Sequence, residues 1–203
     1  MIKTTVEYSL IKNYYADRET KRSKVPLINH INEGLVVLDH LDASLSTKKA
    51  FCLHPLLQDD DALTRTYWDV SIQCDPLAIL LAMEYRSVAN EFLSDKIDDL
   101  FSVKHIEQYL LESVSTIVRL SPIPEVNDML IADKVQNRKD FLTYHSRTHP
   151  RASQLDLYFR LWLTRLGIDE LTYQGLCAKI DATKNCLTLK QFARDLGSNN
   201  ELL

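Results

Sequence analysis

The chain has 203 residues, 45% of them hydrophobic and 26% charged, which is the balance of an ordinary globular protein. Its 24 basic and 28 acidic residues give a net charge of −4, which excludes the basic surface that nucleic-acid binding requires. No stretch approaches the roughly 18 apolar residues of a membrane span, and the N-terminus lacks a signal peptide's layout. We therefore expect a cytoplasmic protein without a membrane partner.

The spacing of apolar residues predicts an all-α protein. Four glycines and six prolines are too few for a turn-rich β protein. In chain order, the apolar periodicity predicts helices over about 3–19, 31–42, 46–57, 76–93, 103–118, 126–145, 155–166 and 188–196. Breaks are expected at 21–26, 58–62, 75–76, 121–124 and 148–150. Thr188 and Gln191 have the spacing of a capping box, so the last helix is predicted to begin there.

Three ionisable residues lie inside apolar segments, where burial is costly unless something compensates: His30, His54 and Asp133. Asp133 and Asn137 share one helical face with apolar neighbours. Two histidines and an aspartate are a suitable donor set for a divalent transition metal. The alternatives are histidines that only pack at helix ends and an Asp–Asn pair exposed to solvent, because spacing alone does not show convergence.

The same three places carry a resemblance to a known family. The stretch Pro26-Leu27-Ile28-Asn29-His30 resembles a Pro-Tyr-Ile-Asn-His motif, and residues 53–59 (LHPLLQD) resemble Leu-His-Asp-x-x-Glu-Asp. Residues 131–140 (IADKVQNRKD) are similar to Leu-Ala-Asp-Lys-Leu-x-Asn-Leu-Arg-Asp. In this order the motifs resemble those of the small alarmone hydrolases, the RelA/SpoT-type hydrolase domain of the HD superfamily. The resemblance spans about residues 8–145.

The resemblance implies an HD-like helical bundle over residues 1–147 with a small C-terminal helical extension over 148–203. It implies that His30, His54 and Asp133 bind a divalent ion, typically manganese, with zinc, iron or magnesium as alternatives. The substrate would be a nucleotide carrying a diphosphate, as in (p)ppGpp. The implied substrate-binding residues are Lys21, Arg22, Lys24, Lys134 and Asn137.

The sequence departs from the family pattern at two chemical positions. Pro55 replaces the aspartate of the His-Asp doublet, and Gln58 replaces a glutamate, so a ligand and a base are missing. Asp59 is retained, and Asp59 with Gln58 marks the expected catalytic position. One of Asp59, Asp60 and Asp61, or else Glu84, would substitute for the missing carboxylates. Their alternatives are a solvated helix end for the aspartates and, for Glu84, a salt bridge with Arg86 or Arg65.

Two further clusters have both a binding and a structural interpretation. The first cluster consists of His145, Arg147, His149 and Arg151. It would bind phosphates, mainly through Arg147 and Arg151, or would be an ordinary basic loop at the surface. Tyr67 and Trp68 would stack on a base or, as the sequence favours, pack in the core.

Two functional hypotheses follow from the sequence. The first is an active metal-dependent phosphohydrolase for a nucleotide. The second is a catalytically inactive HD-like module that binds a nucleotide or a protein partner. The sequence leaves homo-oligomerisation open.

Overall fold

The structure is a computed structural model that describes residues 2–21, 23–100 and 110–199, with side chains described outside 98–100 and 186–199. Within these ranges the protein is all-α, and an isolated β-bridge joins Glu19 to Pro26. The helices are α1 (Val6–Tyr15), α2 (Ile28–His40), α3 (Leu45–Leu57), α4 (Asp60–Gln73), α5 (Pro76–Glu91), α6 (Asp95–Leu100), α7 (Val114–Ile117), α8 (Pro124–Asp140), α9 (Ala152–Arg165) and α10 (Glu170–Asn199). None of these helices is long and apolar enough to cross a membrane.

Helix α3 lies at the centre of the fold and contacts α1, α2, α4, α5 and α8. Between residues 50 and 57 every side chain except that of Pro55 is buried, because the sequence is apolar on all sides of the helix there. His54 is one of these buried residues. The central helix therefore places an imidazole within the hydrophobic core.

Helix α8 contacts α2, α3 and α5 as well as the C-terminal helices α9 and α10. Trp162 of α9 and Ile180 of α10 belong to the same buried cluster as Phe51 of α3. The C-terminal helices therefore pack on the helices that carry the predicted motifs. The boundary at residue 147 stays a prediction.

Helix α4 was not predicted from the sequence. Asp59 caps its N-terminus by accepting a hydrogen bond from the Ala62 amide at 2.7 Å. Only two of its side chains, Ala62 and Val70, are buried, so the apolar periodicity of this segment is weak. The prediction that Tyr67 and Trp68 pack in the core is also wrong, because Tyr67 is 51% exposed and Trp68 is 72% exposed.

The predicted helix start at Thr188 is wrong, because α10 continues from Glu170 to Asn199 without a break. A capping-box pattern marks a helix start only where the preceding residues leave the helix. Here the preceding residues 178–185 (AKIDATKN) contain no proline or glycine to end it. The predicted helix over 103–118 lies partly outside the described residues. From 110 onward Leu110, Val114 and Val118 are buried as expected, but the helix is interrupted at Ser113 and α7 covers only Val114–Ile117.

A glycine of α2 makes room for an aromatic ring of α3. A Cβ atom added at Gly34 would overlap the ring of Phe51. We expect Gly34→Ala to lower the free energy of unfolding by about 1–3 kcal/mol, because the added methyl group overpacks the core. The higher helix propensity of alanine offsets up to about 1 kcal/mol of this loss. Urea denaturation measures the change. Gly175→Ala in α10, whose added Cβ would meet nothing within 4 Å, is the control and should be neutral or stabilising; equal effects at both sites would contradict the packing argument.

Candidate metal centre

Three helices bring His30, His54 and Asp133 together. His30 lies in the first turn of α2, His54 in the last turn of α3 and Asp133 in the middle of α8. The His30 Nε2 atom is 3.1 Å from His54 Nε2 and 3.6 Å from Asp133 Oδ1. One donor atom from each of the three side chains lies within 4.8 Å of the others. His54 and Asp133 are buried, and His30 is half-buried at the floor of a cleft.

Hydrogen bonds set the protonation of both imidazoles. His30 Nδ1 lies 2.7 Å from Gln136 Oε1, and the Gln136 amide nitrogen donates to Asp140 Oδ2 at 2.8 Å. His54 Nδ1 lies 2.6 Å from the backbone oxygen of Phe51. Because each Nδ1 faces an oxygen acceptor, each carries the proton and donates. The lone pairs of both Nε2 atoms are therefore directed into the site.

Two lone pairs at 3.1 Å repel each other unless a cation or a proton lies between them. Two nitrogen donors about 2.1 Å from one metal ion are roughly 3.0–3.4 Å apart, for bond angles between a right angle and the tetrahedral angle. The distance of 3.1 Å between His30 Nε2 and His54 Nε2 lies in this range. The donor set and its spacing therefore fit a divalent transition metal.

Lys134 keeps Asp133 ionised. Its ammonium group lies 2.8 Å from Asp133 Oδ2, donates to the Tyr158 hydroxyl at 3.2 Å and lies over the ring of Trp162. Burial alone would raise the pKa of Asp133, but the positive charge of Lys134 holds that pKa well below its usual range. Burial likewise opposes the charge of Lys134, yet Asp133 raises the pKa of the lysine.

Asn137 completes the surroundings of the carboxylate by donating to Asp133 Oδ1 at 2.8 Å. Both Lys134 and Asn137 also line the cleft, where the sequence predicted substrate-binding groups. In the structure their described hydrogen bonds are made to Asp133 and, for Lys134, to Tyr158. Both residues therefore hold the carboxylate in place.

The cleft above these residues has a volume of about 620 Å³. Its lining includes the imidazoles of His145 and His149 and the hydroxyl-bearing side chains of Thr20 and Ser23. Gln58 and Pro55 also line it. Sequence reasoning missed Gln136, whose only signal was its position one helical turn after Asp133 on α8.

The carboxylates offered as substitutes for the missing ligand and base lie elsewhere. Asp59 caps α4 and lines an adjoining cleft rather than the one above His30. Asp60 pairs with Arg86, and Asp61 lies 3.6 Å from Arg65. Glu84 accepts a hydrogen bond from the Ser121 hydroxyl at 2.8 Å, whereas its predicted partners Arg86 and Arg65 pair with Asp60 and Asp61.

Four of the predicted basic residues, Lys21, Lys24, Arg147 and Arg151, lie outside the cleft lining. Lys21 and Lys24 are exposed, and Arg22 lies outside the described residues. Arg147 is exposed, and Arg151 donates to Asp95 at 3.0 Å and to the backbone oxygen of Ser94 at 3.0 Å. None of the four described residues belongs to the cleft lining, so the structure leaves their substrate-binding role as a prediction.

No family model, curated protein or solved structure matches the chain. The resemblance to the alarmone hydrolases thus rests on the three sequence motifs over residues 26–30, 53–59 and 131–140. In the structure these motifs lie at α2, α3 and α8, the helices that contribute His30, His54 and Asp133.

Proposed function

We propose that the chain binds a divalent metal ion at His30, His54 and Asp133 and is a metal-dependent phosphohydrolase of the HD type. The observation that carries the proposal is the convergence of two imidazole lone pairs and one ionised carboxylate at the floor of a cleft. Manganese is the expected ion by the family resemblance, and the donor set also suits zinc or iron. When bound, such an ion lowers the pKa of a coordinated water from 15.7 to about 7 and polarises phosphoryl oxygens.

The proposed substrate is a nucleotide carrying a pyrophosphate, with a (p)ppGpp-like alarmone as the leading candidate. The cleft volume of about 620 Å³ lies within the usual range of small-molecule sites, roughly 300–1,000 Å³. His145 and His149, when protonated, and the hydroxyls of Thr20 and Ser23 are donors suited to phosphate oxygens. The chain's own residues would therefore bind the phosphates and orient them above His30.

The second candidate function is a catalytically inactive module that retains the pocket and binds a protein partner or a nucleotide that it does not consume. Pro55 and Gln58 favour it, because neither side chain accepts a proton from water. Among the described residues of the cleft lining, the carboxylates are those of Asp133 and Asp140. Asp133 forms an ion pair with Lys134, and Asp140 accepts a hydrogen bond from the Gln136 amide, so both carboxylates already have partners in the structure. Loss of a general base reduces turnover by typically 10²–10⁴-fold.

Elemental analysis of the protein purified without chelator, followed by nucleotide assays with manganese, tests both functions. We expect near-stoichiometric metal in the wild type and at least a tenfold weaker affinity in His30→Gln. His40→Gln, on the exposed end of the same helix, is the control and should keep the metal.

The outcomes separate the two functions. Metal-dependent release of phosphate or pyrophosphate from the nucleotide supports the hydrolase. Tight nucleotide binding without product at any manganese concentration supports the inactive module. Absence of metal from the wild type, even after incubation with manganese, would contradict the hydrolase and leave the inactive binding module.

A further inference from the structure

The last turn of α3 contains a proline, Pro55, directly after His54. In an α-helix each backbone amide donates to the carbonyl four residues earlier, and proline has no amide hydrogen. The carbonyl four residues before Pro55 is that of Phe51. The sequence thus removes the donor that would normally occupy this oxygen.

The His54 side chain takes the place of the missing donor. Its Nδ1 atom lies 2.6 Å from the Phe51 oxygen. The imidazole packs between the rings of Phe51 and Tyr85, with ring centroids 4.6 Å and 4.9 Å away. The hydrogen bond fixes the proton on Nδ1, and the two rings fix the orientation that directs Nε2 toward His30.

We propose that Pro55 is a positioning residue for the metal site: by freeing the Phe51 carbonyl, it holds His54 with a proton on Nδ1 and a lone pair on Nε2. The inference rests on the proposed metal site. It assigns a role to the position at which the resembled family has a carboxylate. Pro55 contributes no ligand, but it orients one, as hydrogen-bond partners of metal-binding histidines do.

The test is Pro55→Ala, which supplies a backbone amide that competes with His54 for the Phe51 oxygen. Isothermal titration with Mn²⁺ and with Zn²⁺ should show a Kd about 10–100-fold higher than that of the wild type. The melting temperature should stay the same or rise, because proline is unfavourable within a helix. Weaker metal binding in an equally or more stable protein is a combination that a merely structural role would not produce.

Pro124→Ala is the matched control. Pro124 is the first residue of α8, where an amide has no partner within the helix, so its replacement should leave both Kd values unchanged. An unchanged Kd in Pro55→Ala would overturn the proposal.

The ¹⁵N shifts of the His54 ring, measured by NMR in metal-free protein, test the orientation independently of metal binding. The wild type should carry its proton on Nδ1, and Pro55→Ala should show a population protonated on Nε2. A wild-type His54 protonated on Nε2 would overturn the proposal without any variant. A wild type with the expected tautomer but no affinity for either metal would instead refute the proposed function and leave the orientation by Pro55 in place.

Discussion

Replacing Asp133 by alanine is expected to abolish metal binding and to lower the free energy of unfolding by about 3–5 kcal/mol. The second effect arises because Lys134 is as buried as its partner, with each side chain only 6% exposed. Removal of the carboxylate leaves the ammonium group in the core with only the Tyr158 hydroxyl to accept a hydrogen bond among its described contacts. Chemical denaturation in the presence of chelator measures this loss without a contribution from bound metal.

The double variant Asp133→Ala/Lys134→Met separates the ion pair from the metal site. Methionine retains the apolar stem of lysine against Tyr158 and Trp162 but carries no charge. We expect the double variant to recover most of the lost stability, since an apolar replacement of a buried ion pair is often neutral. It should still bind no metal. Equal destabilisation of the single and double variants would contradict the assignment of the loss to an unpaired charge.

The consequence for functional work is that loss of turnover in Asp133→Ala alone does not identify Asp133 as a ligand. A variant destabilised by several kcal/mol loses activity through unfolding as well. His30→Gln avoids this problem, because His30 is half-buried and the neighbouring Asp133 keeps its ion pair with Lys134 when the imidazole is replaced.

The sequence predicted those helices that have one continuous apolar face or a dense apolar run. The helix expected over 155–166 is α9, Ala152–Arg165, and the one expected over 46–57 is α3, Leu45–Leu57. Helix α4 was missed because only two of its side chains, Ala62 and Val70, are buried, which leaves no continuous apolar face in the sequence. Its existence depends on the Asp59 cap and on contacts with α3 and α5, which sequence periodicity does not reveal.

The candidate ligands could be predicted because an ionisable residue in an apolar segment is conspicuous. The groups that orient them could not. His54 is held by a backbone oxygen of Phe51, and a backbone acceptor has no sequence signature. Lys134 is held by Tyr158 and Trp162, which come from α9, outside the segment that carries the resemblance. Such long-range pairs appear only when the helices are packed.

Acidification is expected to destabilise the metal-free protein between about pH 6.5 and pH 3. Burial, together with the neighbouring His30, lowers the pKa of His54 to about 3, whereas a histidine in the unfolded chain has a pKa of about 6.5. Between these values the unfolded chain binds one more proton than the folded protein, so stability rises with pH. The slope from this group approaches about 1.4 kcal/mol per pH unit.

Asp133 acts in the same direction at lower pH. Its folded pKa lies well below the ordinary value of 3.8, so the stability it contributes is present above pH 4 and is lost as the unfolded carboxyl becomes protonated. Lys134 and Tyr85, which also lie near His54, stay protonated throughout this range. Burial and Asp133 raise the pKa of Tyr85, and Asp133 raises the pKa of Lys134.

Urea denaturation in chelator at a series of pH values from 7.5 to 3.5 measures the dependence, and His54→Gln isolates the part due to His54. The glutamine does not titrate, so the slope of the unfolding free energy between pH 6.5 and pH 4 should fall by up to about 1.4 kcal/mol per pH unit. His40→Gln removes an exposed histidine and should leave the slope as it is in the wild type. An unchanged slope in His54→Gln would show that His54 accepts a proton in the folded protein. The core around Phe51 and Tyr85 would then tolerate an imidazolium, and the argument that a metal ion is needed between the two Nε2 atoms would lose its force.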